Sequence, residues 1–101
     1  MKIAIKISNL ITSLNIQIDD EKGMFLLNNK AIDVDIEKFV SSLTTILASW
    51  QQKMVDESVI DGEEYSVKLR IGTKTRTYIG KNKFPSNYKD FKKLIEGVTK
   101  C

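Results

Sequence analysis

Histidine is absent from this 101-residue chain. Imidazole acid–base catalysis, histidine metal ligation and the Ser-His-Asp and Cys-His arrangements are therefore all excluded. Cysteine occurs once, at Cys101, so no intrachain disulfide and no cysteine-rich metal site can form. A lone thiol suits a reducing compartment, and a cytoplasmic location is the expectation. One proline and five glycines leave no collagenous chain and no Pro/Gly-rich linker. No apolar run approaches the ~18 residues of a membrane span. The segment Met1-Lys2-Ile3-Ala4-Ile5-Lys6-Ile7 is interrupted at Lys6, short of the apolar stretch of about 7–15 residues in a signal peptide. No membrane contact is expected.

What is present suffices for one core. The chain is 42% hydrophobic and 29% charged, and a domain of this size buries roughly two-thirds of its unfolded surface. No repeat or linker divides it, so residues 1–101 are expected to form a single domain. Charge is uneven. Residues 1–62 hold six Lys/Arg and nine Asp/Glu, a net of 6 − 9 = −3; residues 63–101 hold ten and four, a net of 10 − 4 = +6. Such asymmetry points to an acidic partner.

Residues 2–7 alternate, with Ile3, Ile5 and Ile7 on one side and Lys2, Ala4 and Lys6 on the other, the period of a half-buried strand. Leu10 to Ile18 alternates again, with Thr12, Leu14, Ile16 and Ile18 sharing a face. Asp19 to Gly23 is a polar turn, Met24 to Leu27 a short strand and Asn28-Asn29-Lys30 the next turn. The period then changes. Ile36, Phe39, Val40, Leu43, Leu47, Trp50 and Met54 recur at three- and four-residue steps, which predicts one amphipathic helix over 35–54 with Asp33 or Asp35 as its cap. Asp56 to Gly62 is the loop that follows.

Tyr65 to Ile71 returns to period two, and Gly72-Thr73-Lys74 leads into a second strand, Thr75 to Ile79. A three-residue loop pairs Ile71 with Thr75, Leu69 with Thr77 and Val67 with Ile79, which keeps one face apolar. In that register Lys68, Arg70, Arg76 and Tyr78 share the other face, with Lys74 in the turn. After a loop, Tyr88, Phe91, Leu94, Ile95 and Val98 follow helical spacing. Asn87 is placed to cap that helix, with Asp90 three residues on. The expected fold is α+β: an antiparallel sheet of about five strands with two helices, in the order β-β-β-α-β-β-α.

The most specific local pattern is Tyr78-x-Gly80-x-Asn82-x-Phe84-Pro85-x-Asn87-Tyr88-x-x-Phe91, which reads first as a strand-to-helix connector anchored by aromatics. With the helix ending in Trp50 and with Asp61-Gly62-x-x-Tyr65-x-Val67, it resembles a small domain recurring in hypothetical proteins of Gram-positive bacteria and phages. The resemblance covers roughly residues 36–98. It implies an α+β domain of bacterial or phage type and lends no catalytic residues.

The candidate binding residues are Lys68, Arg70, Lys74, Arg76 and Tyr78, with Lys81 and Lys83 continuing the basic run. Cations beside a tyrosine on one sheet face suit phosphates and a stacked base, or an acidic protein. Arg70 opposite Arg76 is slightly unfavourable unless an anion, or an Asp or Glu of another element, relieves it. The three acids Asp19, Asp20 and Glu21 lack the ligand spacing of a calcium loop. No nucleophile elbow and no phosphate loop occurs. No catalysis, cofactor or metal is expected. The favoured reading is a non-catalytic interaction protein with an acidic protein partner, of the kind a phage or mobile element uses against a host defence nuclease, as anti-CRISPR proteins do. The alternative is a small nucleic-acid-binding module using the basic hairpin.

Overall fold

A computed structural model describes residues 1–9, 13–55, 63–81 and 83–99. The expected start of the second strand at Leu10 to Thr12, the loop over 56–62, Asn82 of the aromatic motif and Cys101 lie outside the described residues. Seven strands and two helices follow in the order β1 (Lys2–Ser8), β2 (Ser13–Asp19), β3 (Met24–Leu27), β4 (Lys30–Ala31), α1 (Ile36–Leu47), β5 (Lys53–Val55), β6 (Glu64–Ile71), β7 (Lys74–Lys81) and α2 (Tyr88–Thr99).

The class is α+β as expected, but the sheet is larger and mixed. Its order is β4-β3-β2-β1-β6-β7-β5. Every pairing is antiparallel except that of β5 with β7, which is parallel. β4 and β5 are the additions, of two and three residues, and they are the two edges. β5 covers only Ile79 to Lys81 of β7, so the outer side of Lys74 to Tyr78 has no strand partner among the described residues. β4 forms because Asn28 and Asn29 both take positive φ, 51° and 66°, the two-residue turn that matches the twist of a hairpin.

Helix α1 starts where expected. Asp35 caps it, its Oδ1 accepting from the Lys38 amide at 3.2 Å. It ends at Leu47 instead of continuing to Met54. Trp50 turns the chain inward, and Lys53 to Val55 pair with β7, whose Ile79 amide donates to the Gln52 carbonyl at 2.8 Å. The outer backbone groups of Ile79 to Lys81 in β7 thereby gain partners that a longer helix would deny them. The expected buried face survives: Phe39, Leu43, Leu47 and Trp50 are all buried.

The core lies between one face of the sheet and both helices. Ile3, Ile5 and Ile7 of β1, Ile16 and Ile18 of β2, and Val67 and Leu69 of β6 meet Phe39, Leu43 and Leu47 of α1 and Phe91 and Ile95 of α2. Phe25 meets Phe39 edge-on at 5.1 Å. The smallest extent, 20 Å, fits one sheet covered by one helix layer.

Asn87 joins the two helices, but differently from the expectation. Its backbone carbonyl accepts from the Asp90 and Phe91 amides at the start of α2. Its side chain leaves α2 altogether. Oδ1 accepts from Trp50 Nε1 at 2.5 Å, and Nδ2 donates to the Ile46 carbonyl at 3.0 Å and to Ser49 Oγ at 3.3 Å. Asn87→Ala should therefore cost about 1–3 kcal/mol, the penalty for stranding a buried donor, read as a lowered urea midpoint. An unchanged midpoint would mean that the indole finds water instead.

Candidate functional site

The β6–β7 hairpin has a two-residue loop, so the expected register is wrong by one. Ile71 pairs with Lys74, Leu69 with Arg76, Val67 with Tyr78 and Tyr65 with Gly80. Gly72 takes φ 61° while Thr73 keeps negative φ, the pattern of a II′ turn. Two side chains decide the register physically. Tyr78 is 4% exposed and meets Trp50 edge-on at 6.3 Å, whereas Ile79 is left 46% exposed. Gly80 lies beneath the Tyr65 ring, where any side chain would collide. Burying a tyrosine and seating a ring over glycine outweigh the tidy alternation of Thr75, Thr77 and Ile79.

This register divides the candidate residues. Lys68, Arg70 and Lys81 stand on the sheet face away from the helices. Arg76 and Tyr78 stand on the helix side, where Arg76 Nη1 donates to Tyr78 Oη at 3.5 Å. Lys74 joins them beside the turn. Lys83 is exposed in the connector to α2. The expected cluster of Lys68, Arg70, Arg76 and Tyr78 is thus not one surface, and Tyr78 is not a stacking platform for a base.

A different cluster takes its place. β1 lies next to β6, and the partners facing away from the helices are Lys2 with Arg70, Ala4 with Lys68 and Lys6 with Ser66. On the far side of β1 the same rows continue through Asp19, Gln17 and Asn15 of β2. Lys2, Lys6, Lys68 and Arg70 therefore share the middle of an uncovered sheet face, with Lys81 and Lys53 toward its β5 edge. Two carboxylates stand among them, and one of these, Asp19, is the cross-strand partner of Lys2. Glu64 pairs with Lys81 at 3.5 Å. Asp19 is buried and accepts from the Lys22 amide at 3.3 Å. Among the described residues, Lys2, Lys6, Lys68 and Arg70 have no carboxylate within 4.0 Å. Ala4, small and central, leaves a shallow hollow of about 350 Å³ bordered by Lys2, Gln17, Asp19, Lys22, Lys68 and Arg70.

The like-charge opposition expected of Arg70 and Arg76 falls instead on Lys2 and Arg70, since Arg70 faces Thr75 in β7. Directly opposed like charges destabilise a ladder, and an anion above them removes the repulsion. Every aromatic ring of the chain lies away from this face. Trp50, Tyr65, Tyr78, Tyr88 and Phe91 interlock on the helix side, Phe84 stacks on Tyr88 at 4.5 Å, and Phe25 packs on Phe39. The face offers charge and hydrogen bonds, and no ring for a base.

The remaining polar features are structural. Asp20 pairs with the terminal ammonium of Met1 at 2.8 Å, holding that amine above its usual range through the hydrogen bond. Glu63 accepts from Tyr88 Oη at 2.6 Å and from Lys92 Nζ at 2.9 Å. Burial, then the Glu63 hydrogen bond, pushes the Tyr88 phenol well above its usual range, and burial raises that of Tyr65 as well. Among the described residues no group of three potential metal-ligating side chains converges, and no helix is long and apolar enough to cross a membrane. Comparisons with protein-family models, with curated proteins and with solved structures find no match.

Lys2 and Lys6 were the residues missed by reading the hairpin alone. Their alternation with Ile3, Ile5 and Ile7 is plain in the sequence. Their neighbours are set by the pairing of β1 with β6, some sixty residues apart, and no local pattern announces it.

Proposed function

We propose that the chain is a non-catalytic binding protein whose uncovered sheet face docks an acidic surface of a partner protein. The observation that carries this reading is the set of four cations, Lys2, Lys6, Lys68 and Arg70, gathered on one uncovered face, where Asp19 opposes Lys2 and no carboxylate among the described residues lies within 4.0 Å of the four. A broad sheet face suits another protein surface, and the four cations point out of the sheet and not along its edges. The lack of a ring on the face argues against the base-stacking mode of single-strand binders. The resemblance to Gram-positive and phage domains favours a mobile-element accessory that restrains a host defence nuclease. A cationic face cannot imitate a phosphate backbone. Such an inhibitor would engage carboxylates of the enzyme, and nuclease metal centres are rich in them.

Capture from nuclease-treated host lysate, using the wild-type chain and the Lys68→Glu/Arg70→Glu variant, tests the proposal. A partner held by the wild type and lost by the variant supports it. Capture that disappears on nuclease treatment assigns the face to nucleic acid, and capture indifferent to the variant removes the face from the function. For an isolated partner, Lys68→Ala and Arg70→Ala should each slow association at low salt and matter less at high salt, as long-range steering by exposed charge requires. Both substitutions should leave the unfolding midpoint nearly unchanged, since they are exposed.

A further inference from the structure

The helix side of the sheet is not fully covered. Between the C-terminal end of α1 and the tip of the β6–β7 hairpin lies a half-open groove of about 710 Å³. Leu47, Leu69, Ile71 and the Tyr78 ring give it apolar walls, and Lys74 and Arg76 stand along it. Ile71 is 55% exposed, the most exposed large apolar side chain among the described residues. It is the cross-strand partner of Lys74, so the turn presents an aliphatic group and a cation side by side on one face. Leu69 and Arg76 repeat that pairing one step inward. No carboxylate lines the groove among the described residues.

We propose that this groove docks an acidic peptide segment in which a carboxylate neighbours an aliphatic or aromatic side chain. The charge along the groove is of one sign and has no partner within the described chain, so its complement is anionic. The apolar walls supply the anchor that a purely electrostatic surface lacks. A cleft open along one side suits a chain passing through it better than a small molecule, which a pocket normally encloses on most sides. The Arg76 guanidinium is a planar fork matched to a carboxylate, and it stands 3.5 Å from Tyr78 Oη at the groove wall. The inference does not rest on the proposed role of the opposite face, because none of the four central cations lines this groove.

The test is selection of octapeptides from a random displayed library against the intact chain. Selected peptides should carry Asp or Glu beside Leu, Ile, Phe or Trp. Their affinity should fall about tenfold or more for Arg76→Gln, the scale of a lost charge-assisted hydrogen bond, and also fall for Ile71→Ser. Lys89→Ala, an exposed cation of α2 outside both surfaces, should leave it unchanged. Amide NMR shifts on binding should centre on Leu47, Ala48, Leu69, Ile71 and Tyr78. Arg76 and Ile71 are exposed, so both variants should stay folded, as thermal melts will show. Selection that yields no binder, binders lacking acidic residues, affinity indifferent to Arg76→Gln, or shifts centred on Lys2, Lys68 and Arg70 would each overturn the proposal. Tighter binding of octanoate than of any selected peptide at the same residues would overturn the peptide assignment.

Discussion

Replacing Leu43 by alanine should lower the unfolding free energy by about 2–5 kcal/mol, the range for emptying a fully buried leucine site. Leu43 is 0% exposed and lies on the sheet-facing stripe of α1 between Phe39 and Leu47, both buried as well. The cost has two parts. Transfer of the lost methyl groups from water no longer stabilises the fold, and the space they leave is refilled only as far as the surroundings relax. Relaxation is limited here. The isoleucines opposite belong to the central strand β1 and its neighbour β2, and the hydrogen-bonded sheet holds their backbones in place. A domain of this size is stabilised by only about 5–15 kcal/mol, so the variant should show a large drop in denaturant midpoint with an unchanged slope. A loss below about half a kcal/mol, the range of an exposed surface substitution, would show that this stripe is not core.

A second large effect is expected at Gly80. A Cβ there would fall into the Tyr65 ring, well inside van der Waals contact of Cε1 and Cζ and 2.6 Å from Oη. The ring cannot swing aside cheaply. Trp50 meets it at 5.1 Å, Tyr88 at 5.3 Å, Phe84 at 6.1 Å and Phe91 at 6.5 Å. Its hydroxyl is already buried without a hydrogen-bond partner among the described residues, and displacement would have to move that group through a packed cluster. Gly80→Ala should therefore cost at the upper end of the ~1–3 kcal/mol typical of overpacking, and Gly80→Val more. A double-mutant cycle isolates the cause. In a Tyr65→Ala background most of the Gly80→Ala penalty should vanish, since the two positions are in direct contact. Additive penalties would place the ring elsewhere and would also reopen the hairpin register, which pairs Tyr65 with Gly80.

Much of the fold was legible in the amino-acid order, for reasons that differ by element. β1, β2 and β6 alternate strictly because each has one buried and one uncovered face, and α1 declares itself by its stripe from Phe39 to Trp50. β4 and β5 were not legible. Two or three residues carry too little periodicity, and each owes its existence to a neighbour: β4 to the Asn28-Asn29 turn, β5 to the open edge of β7. The hairpin register misled because the apolar pattern of β7 is weak. Thr75, Thr77 and Ile79 looked like the inner face, while Tyr78 and Gly80 hold it through ring packing that no hydropathy scale records. The candidate site inherited that error. Lys68 and Arg70 keep their place, Arg76 and Tyr78 move to the helix side, and Lys2 and Lys6 enter from a segment whose overall charge is negative. Net charge by sequence half said little about charge by face, because β1 of the first half lies beside β6 of the second.

The proposed docking face joins Lys2, Lys6, Lys68 and Arg70. Acetylation footprinting by mass spectrometry tests it most directly, comparing lysine reactivity in the free chain and in the chain held by its captured partner. Lys2, Lys6 and Lys68 should become protected together, while Lys38, Lys89 and Lys93 on the exposed helix surfaces should react as before. Protection of the helix lysines, with Lys2, Lys6 and Lys68 still fully reactive, would place the partner on the helix side and rule this face out.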